Sequence, residues 1–223
     1  MADLARIPPL PGDSDDSARR EQGRLRMRLL DGEWFDDLRG HMAQHFDAVR
    51  ERVVGKPDPS TNLFKSIVEQ LSVLYDRQTP LKNEENPDAG DVVMGLLGDA
   101  GWWSLGTRLQ RTTLGLRECF LRPSWTKQGL LLRIVPPTMV SASASGDCPD
   151  LPDRLTEARV RNLGDGDAWY WDRFDLSGDE PVYQIVRAKD GEDMTAFVLG
   201  QDATGARYPF LDESGMPILP YAT

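Results

Sequence analysis

Apolar side chains recur at intervals of three and four through the first half of this chain and at intervals of two through much of the second half. The first spacing is that of amphipathic helices and the second that of half-buried strands. After Ser14, Asp15 and Asp16, which offer caps and favourable charge at a helix start, Leu25, Leu29 and Leu30 form a narrow stripe. Beyond Gly32 a second helix is predicted over roughly 33–54, on Trp34, Leu38, Met42, Phe46, Val49 and Val53. A third begins after Thr61 or Asn62. It carries Leu63, Ile67, Leu71 and Leu74, with Phe64, Val68 and Tyr75 beside them, which predicts burial over a wide face and an end before Thr79-Pro80. A short helix at about 91–99 and a longer one at about 102–121 come next, and Arg122-Pro123 closes the helical part.

Past Trp125 the period changes. The runs GLLLRIVPP, AWYWDRFDL, PVYQIVRAK and MTAFVLG are rich in β-branched and aromatic residues. They are bounded by SGDCPD, SGDEP, DGED, DATG and DESG, the composition of tight turns. The predicted fold class is α+β, a helical N-terminal half followed by a mainly antiparallel β-sheet region. Residues 1–13, with Pro8, Pro9 and Pro11, read as a flexible extended arm; 14–125 is the helical region and 126–223 the β-rich region, continuous with the helices in one domain.

Composition changes the picture in two ways. A formal charge of −10 opposes a role that depends on neutralising phosphates, and the acidity is concentrated: residues 144–223 carry 7 basic and 16 acidic side chains. Two cysteines, Cys119 and Cys148, have no metal-type spacing and read as free thiols of a reducing compartment. The start MADLARIPPLPGDSDD lacks the basic and apolar regions of a signal peptide, and no run is long enough to span a membrane, so the expected location is cytoplasmic.

Candidate chemistry is sparse. His41 and His45 stand one helical turn apart, but Met42 occupies the position where a metalloprotease carries its Glu. Nucleophile elbows, phosphate-binding Gly-rich loops and Cys-x-x-Cys pairs do not occur in the sequence, and Cys119 reads as a buried thiol of the last helix. No catalytic, cofactor or metal residue is nominated, and no cofactor is expected. The acidic pairs Asp36-Asp37 and Glu84-Glu85 read as solvated surface. Trp102 and Trp103 precede a helix bearing Arg108, Arg111 and Arg117, a pattern that fits either a nucleic-acid strand or ion pairs to the acidic last third or to another subunit, the second favoured. Trp169, Tyr170 and Trp171 must place aromatic rings on both faces of a strand, a pattern that fits either a contact surface or packing under the helical half, the second favoured. Trp102, Trp103, Arg108, Arg111 and Trp169 are the candidate contact residues.

Three stretches together resemble tailed-bacteriophage portal proteins. They are NLFKSIVEQLSVLYDRQTP (62–80); GLLLRIVPPTMVSASASGDCPDLPDRLTEARV leading into WYWDRFDL and PVYQIVRAKDG; and Tyr208-Pro209-Phe210, Asp212-Glu213-Ser214-Gly215 and Pro217-Ile218-Leu219-Pro220-Tyr221. The resemblance spans about residues 60–223 and implies the N-terminal, wing-like part of a ring subunit at one capsid vertex. It implies a virion protein, present in host cytoplasm during assembly, that forms a cyclic homo-oligomer, usually a dodecamer. Its partners would be the major capsid protein, the terminase and neck or adaptor proteins, with DNA passing through unread and no membrane involved. The implied function is structural, in DNA packaging and ejection, without enzymatic activity. Portals are normally far longer, so the stem and clip have no counterpart here, and the apolar ending at Met216–Ala222 reads as sheet completed by further polypeptide or an adjoining copy. Two rival readings stand beside it: a metal-dependent enzyme using His41 and His45, and a monomeric domain that binds a protein through the aromatic sheet face.

Overall fold

Helix formation follows the capping chemistry closely. The computed structural model describes residues 7–11, 14–33, 62–73, 87–144, 152–164, 166–200 and 208–221. Helix α1 (Ser14–Asp31) ends at Gly32, whose φ of 90° a residue with a side chain would adopt only with strain. Helix α2 (Leu63–Leu71) is capped by Asn62, whose side-chain oxygen accepts from the Lys65 N–H at 2.9 Å while its amide donates to the Leu29 carbonyl at 2.6 Å. Helix α3 (Pro87–Asp99) starts four residues before the expected position, because Pro87 has its φ preset for the first turn and lacks an N–H that would go unbonded there. Helix α4 (Trp102–Leu116) is shorter than its periodicity predicts. Residues 34–54 of the second expected helix, with His41 and His45, the acidic pairs at 36–37 and 84–85, the helix end expected before Thr79-Pro80, and Cys148 lie outside the described residues.

The handover from helix to strand comes earlier than Arg122-Pro123. Arg117 adopts the left-handed conformation (φ 71°), its N–H bonding the Thr113 carbonyl, so the helix stops there. Phe120–Thr126 (β1) is already extended and pairs with β2 (Gly129–Val135). Cys119 therefore sits in the connection rather than on the helix. A left-handed non-glycine residue costs about 1–2 kcal/mol. Arg117→Gly is accordingly expected to raise stability by about 1 kcal/mol, read as a higher urea midpoint with unchanged slope.

A 3-10 turn at Pro137–Met139 leads into the main sheet: β3 (Val140–Ala144), β4 (Pro152–Asn162), β5 (Asp167–Asp175) and β6 (Val182–Arg187), paired antiparallel in that order. The α+β class holds, helices first and antiparallel sheet after. The run MTAFVLG, expected as a strand, contains helix α5 (Thr195–Leu199) instead. Asp193 Oδ1 accepts from the Thr195 N–H at 2.8 Å, and left-handed Gly200 donates to the Ala196 carbonyl. Helix-end chemistry on both sides outweighs the β preference of so short a run.

By their internal contacts the residues fall into two units. One comprises residues 1–20 with 135–222, and the other residues 21–134 with Thr223. In the helical unit Gly115 of α4 meets Leu30 of α1 so closely that a Cβ there would stand 2.3 Å from Leu30 Cδ1. Arg26 donates to the Leu116 carbonyl at 3.1 Å in the same place. In the sheet unit the arm residue Leu10 is buried, its carbonyl accepting from Arg20, and Arg19 bridges Asp16 (2.7 Å) to the Val140 carbonyl (2.8 Å) at the edge of β3.

The terminal run is not a strand awaiting a partner. Residues Tyr208–Tyr221 form a strap that turns on itself, with a bridge between Leu211 and Pro217, the Ile218 N–H on the Phe210 carbonyl, and the Tyr208 hydroxyl on the Ile218 carbonyl. At the bend the Asp212 carboxylate accepts from the Ser214 hydroxyl and from the Ser214 and Met216 N–H groups. Those bonds, the Ser214 hydroxyl first, hold its pKa below the ordinary 3.8. The strap's rings pack on the sheet: Phe210 and Tyr221 lie 5.5 and 5.6 Å from Phe174, and Phe210 lies 5.3 Å from Tyr183, between centroids.

Candidate functional site

Four of the nominated contact residues share α4. Trp102 and Trp103 open it, half-buried, after left-handed Gly101; Arg108 is exposed further along; and Arg111 reaches α2, its Nη2 2.6 Å from Glu69 Oε1. Gln110 adds a bond to the Leu71 carbonyl at 3.1 Å. The acidic partner of Arg111 is thus a glutamate of a neighbouring helix, not the Asp-rich last third. Both ends of the pair are over 40% exposed, which places its worth at about 0.2–1 kcal/mol. Its effect is to align α2 against α4.

Among the described residues, apolar surface of α2 remains exposed. Leu63, Ile67 and Leu71, one above another at every fourth residue of α2, are 65%, 46% and 57% exposed, and only Val68 of that helix is buried. For the described residues the wide buried face expected here is therefore corrected; Leu74 and Tyr75, expected on the same face, lie outside them. The stripe has the right period but faces outward.

Trp169 lies in the other unit, on β5. Alternation sends Tyr170, Asp172 and Phe174 to the face covered by the strap and Trp169, Trp171 and Arg173 to the opposite face. The prediction of aromatic rings on both sides is met. Arg173 stands 5.2 Å from the centre of the Trp171 ring, a cation–π arrangement, and the buried indole N–H groups of Trp169 and Trp171 have no hydrogen-bond partner among the described residues.

The strap-covered face holds a charge cluster that apolar periodicity does not reveal. Glu157 of β4 and Asp172 of β5 are direct cross-strand partners, and both are fully buried. Arg161 Nη2 lies 2.7 and 2.6 Å from the two oxygens of Asp172, with Arg159 Nη1 at 3.7 Å, while the Tyr221 hydroxyl donates to Glu157 Oε2. Two carboxylates side by side repel unless cations and donors are brought to them, which the arginines and Tyr221 do. The signal is present as Glu157, Arg159 and Arg161 at intervals of two in TEARVRN. A strand that turns charges inward looks like a loop to a search for apolar alternation.

The remaining candidates offer little chemistry. Burial pushes the Cys119 thiol above its ordinary pKa, against the lowering effect of Thr113 Oγ1 at 3.0 Å, so it stays protonated at neutral pH. Burial likewise pushes the Tyr208 hydroxyl up to about 12. A depression of about 320 Å³ beside Pro11, Ser143 and Arg154 is also lined by Asp16, whose carboxylate is already held by Arg19 and Arg20. Among the described residues no three His, Cys, Asp or Glu side chains are grouped to hold a metal ion, and no helix is long and apolar enough to cross a membrane. No protein-family model matches the chain, and no curated protein matches it.

Proposed function

We propose that this protein is a structural subunit that works by binding copies of itself, and that it forms the wing-like part of a tailed-phage portal ring. In that role it surrounds the passage through which DNA enters and leaves at one capsid vertex, and it docks the packaging terminase and the neck proteins without catalysing a reaction. The observation that carries this reading is the outward stripe of α2, Leu63, Ile67 and Leu71. Large apolar side chains aligned on an exposed helix face are a contact surface rather than a stable water-facing one. The acidic balance suits a conduit that does not adhere to DNA.

Native mass measurement of the full chain tests the proposal. A closed oligomer of fixed stoichiometry, twelve by the resemblance, is expected, and Ile67→Glu should dissociate it while leaving the circular dichroism of the subunit unchanged. A chain that stays monomeric at every concentration overturns the reading. The enzyme alternative on His41 and His45 would be favoured instead by stoichiometric zinc, manganese or iron in the purified protein.

A further inference from the structure

We propose that the strap Tyr208–Tyr221 is an exchangeable element, and that the sheet face it covers within its own chain accepts the same segment from a second copy. The inference rests on the self-association proposed above and names one of its contact sites. Its ground is how the strap is held. Main-chain bonds run from the strap back onto itself: Asp212 to Met216, Gly215 to Asp212, and Ile218 to Phe210. The sheet is met through side chains, namely Phe210 and Tyr221 on Phe174, Phe210 on Tyr183, and the Tyr221 hydroxyl on Glu157. A segment bonded internally and attached by side chains can leave and return as a unit, with its own turn intact.

The face it leaves cannot stay open. Phe174 and Glu157, which the strap touches, are 1% and 0% exposed, and uncovering a buried carboxylate together with a ring cluster has no compensating gain. Whatever displaces the strap must therefore present a ring where Phe210 lies and a hydroxyl donor where Tyr221 ends. The strap of another copy does both, so exchange remakes every contact in trans. The strap's other side adds a reason for copies to meet there, since Leu211, Met216 and Ile218 are 49%, 62% and 42% exposed.

The test uses the full chain. Phe210 is replaced by photoreactive p-benzoylphenylalanine, which keeps an aromatic ring beside Phe174 and leaves the Tyr221 hydroxyl on Glu157, and this protein at natural isotope abundance is mixed with ¹⁵N-labelled unmodified protein. After irradiation the cross-linked peptides are identified by mass spectrometry. Exchange predicts pairs joining an unlabelled strap peptide to a ¹⁵N-labelled peptide from β5 or β6, at a yield that rises with protein concentration. Unlabelled-to-unlabelled pairs alone, from particles that native mass shows to be oligomeric, overturn the exchange but leave self-association standing. The same pairs from a strictly monomeric protein overturn both.

Discussion

Asp172→Ala is expected to destabilise the sheet unit by about 3–5 kcal/mol, toward the lower end of that range. Asp172 is fully buried, and the Arg161 side chain that grips both of its oxygens is only 16% exposed. Deleting the carboxylate leaves a guanidinium in a place built for a pair, and an uncompensated buried charge is among the costliest single changes a core can suffer. One effect works the other way. Glu157 lies directly across the strand, so removing Asp172 also removes a like-charge neighbour. Urea denaturation of the full chain reads the loss as a lowered midpoint. The paired replacement Asp172→Leu with Arg161→Leu should recover most of it, because two apolar side chains of similar volume avoid desolvating either charge. If the double variant were as unstable as the single one, the cost would belong to lost volume and not to the stranded arginine.

Phe174→Ala should have an effect of similar size, about 3–5 kcal/mol. Phe174 is 1% exposed and stands at the centre of a ring group, 4.9 Å from Tyr183, 5.5 Å from Phe210 and 5.6 Å from Tyr221. Its removal opens a cavity on which two rings of the strap depend, so the strap should detach before the sheet unfolds. Limited proteolysis should then cut within 208–221 at a rate at which the unaltered chain is intact, and near-ultraviolet circular dichroism from the tyrosines should weaken. Phe174→Leu, which keeps most of the volume, should cost roughly 1 kcal/mol and leave the strap protected. Equal cleavage of the Ala variant and the unaltered chain would show that the strap is held by something other than this ring.

Legibility varies along the chain for identifiable reasons. Caps and breakers are local: Asn62 caps α2, Gly32 ends α1 and the turn at Asp212–Gly215 bends the strap, because each acts through its own backbone or that of residues a few positions away. Strand β5 is readable because its aromatic residues alternate. Strand β4 does not stand out as an element of its own because its inward positions hold Glu157, Arg159 and Arg161, which belong inside only when Asp172 and Tyr221 are there to meet them. Helix α5 reads as a strand because five β-branched and apolar residues satisfy either period. The end of α4 is set by Arg117 in a conformation that its residue type disfavours.

What sequence alone determined is therefore the class and the local punctuation: helices before sheet, the strongest strands, the acid-rich last third and the paired tryptophans of β5. Tertiary structure decided which faces those elements hide. It turned the stripe of α2 outward, paired Arg111 with Glu69, buried two carboxylates opposite one another and folded the apolar ending onto the sheet. Periodicity specifies that a face exists and how wide it is. Whether that face meets water, a ring or a counter-charge depends on residues far away in the chain, whose positions no local pattern encodes.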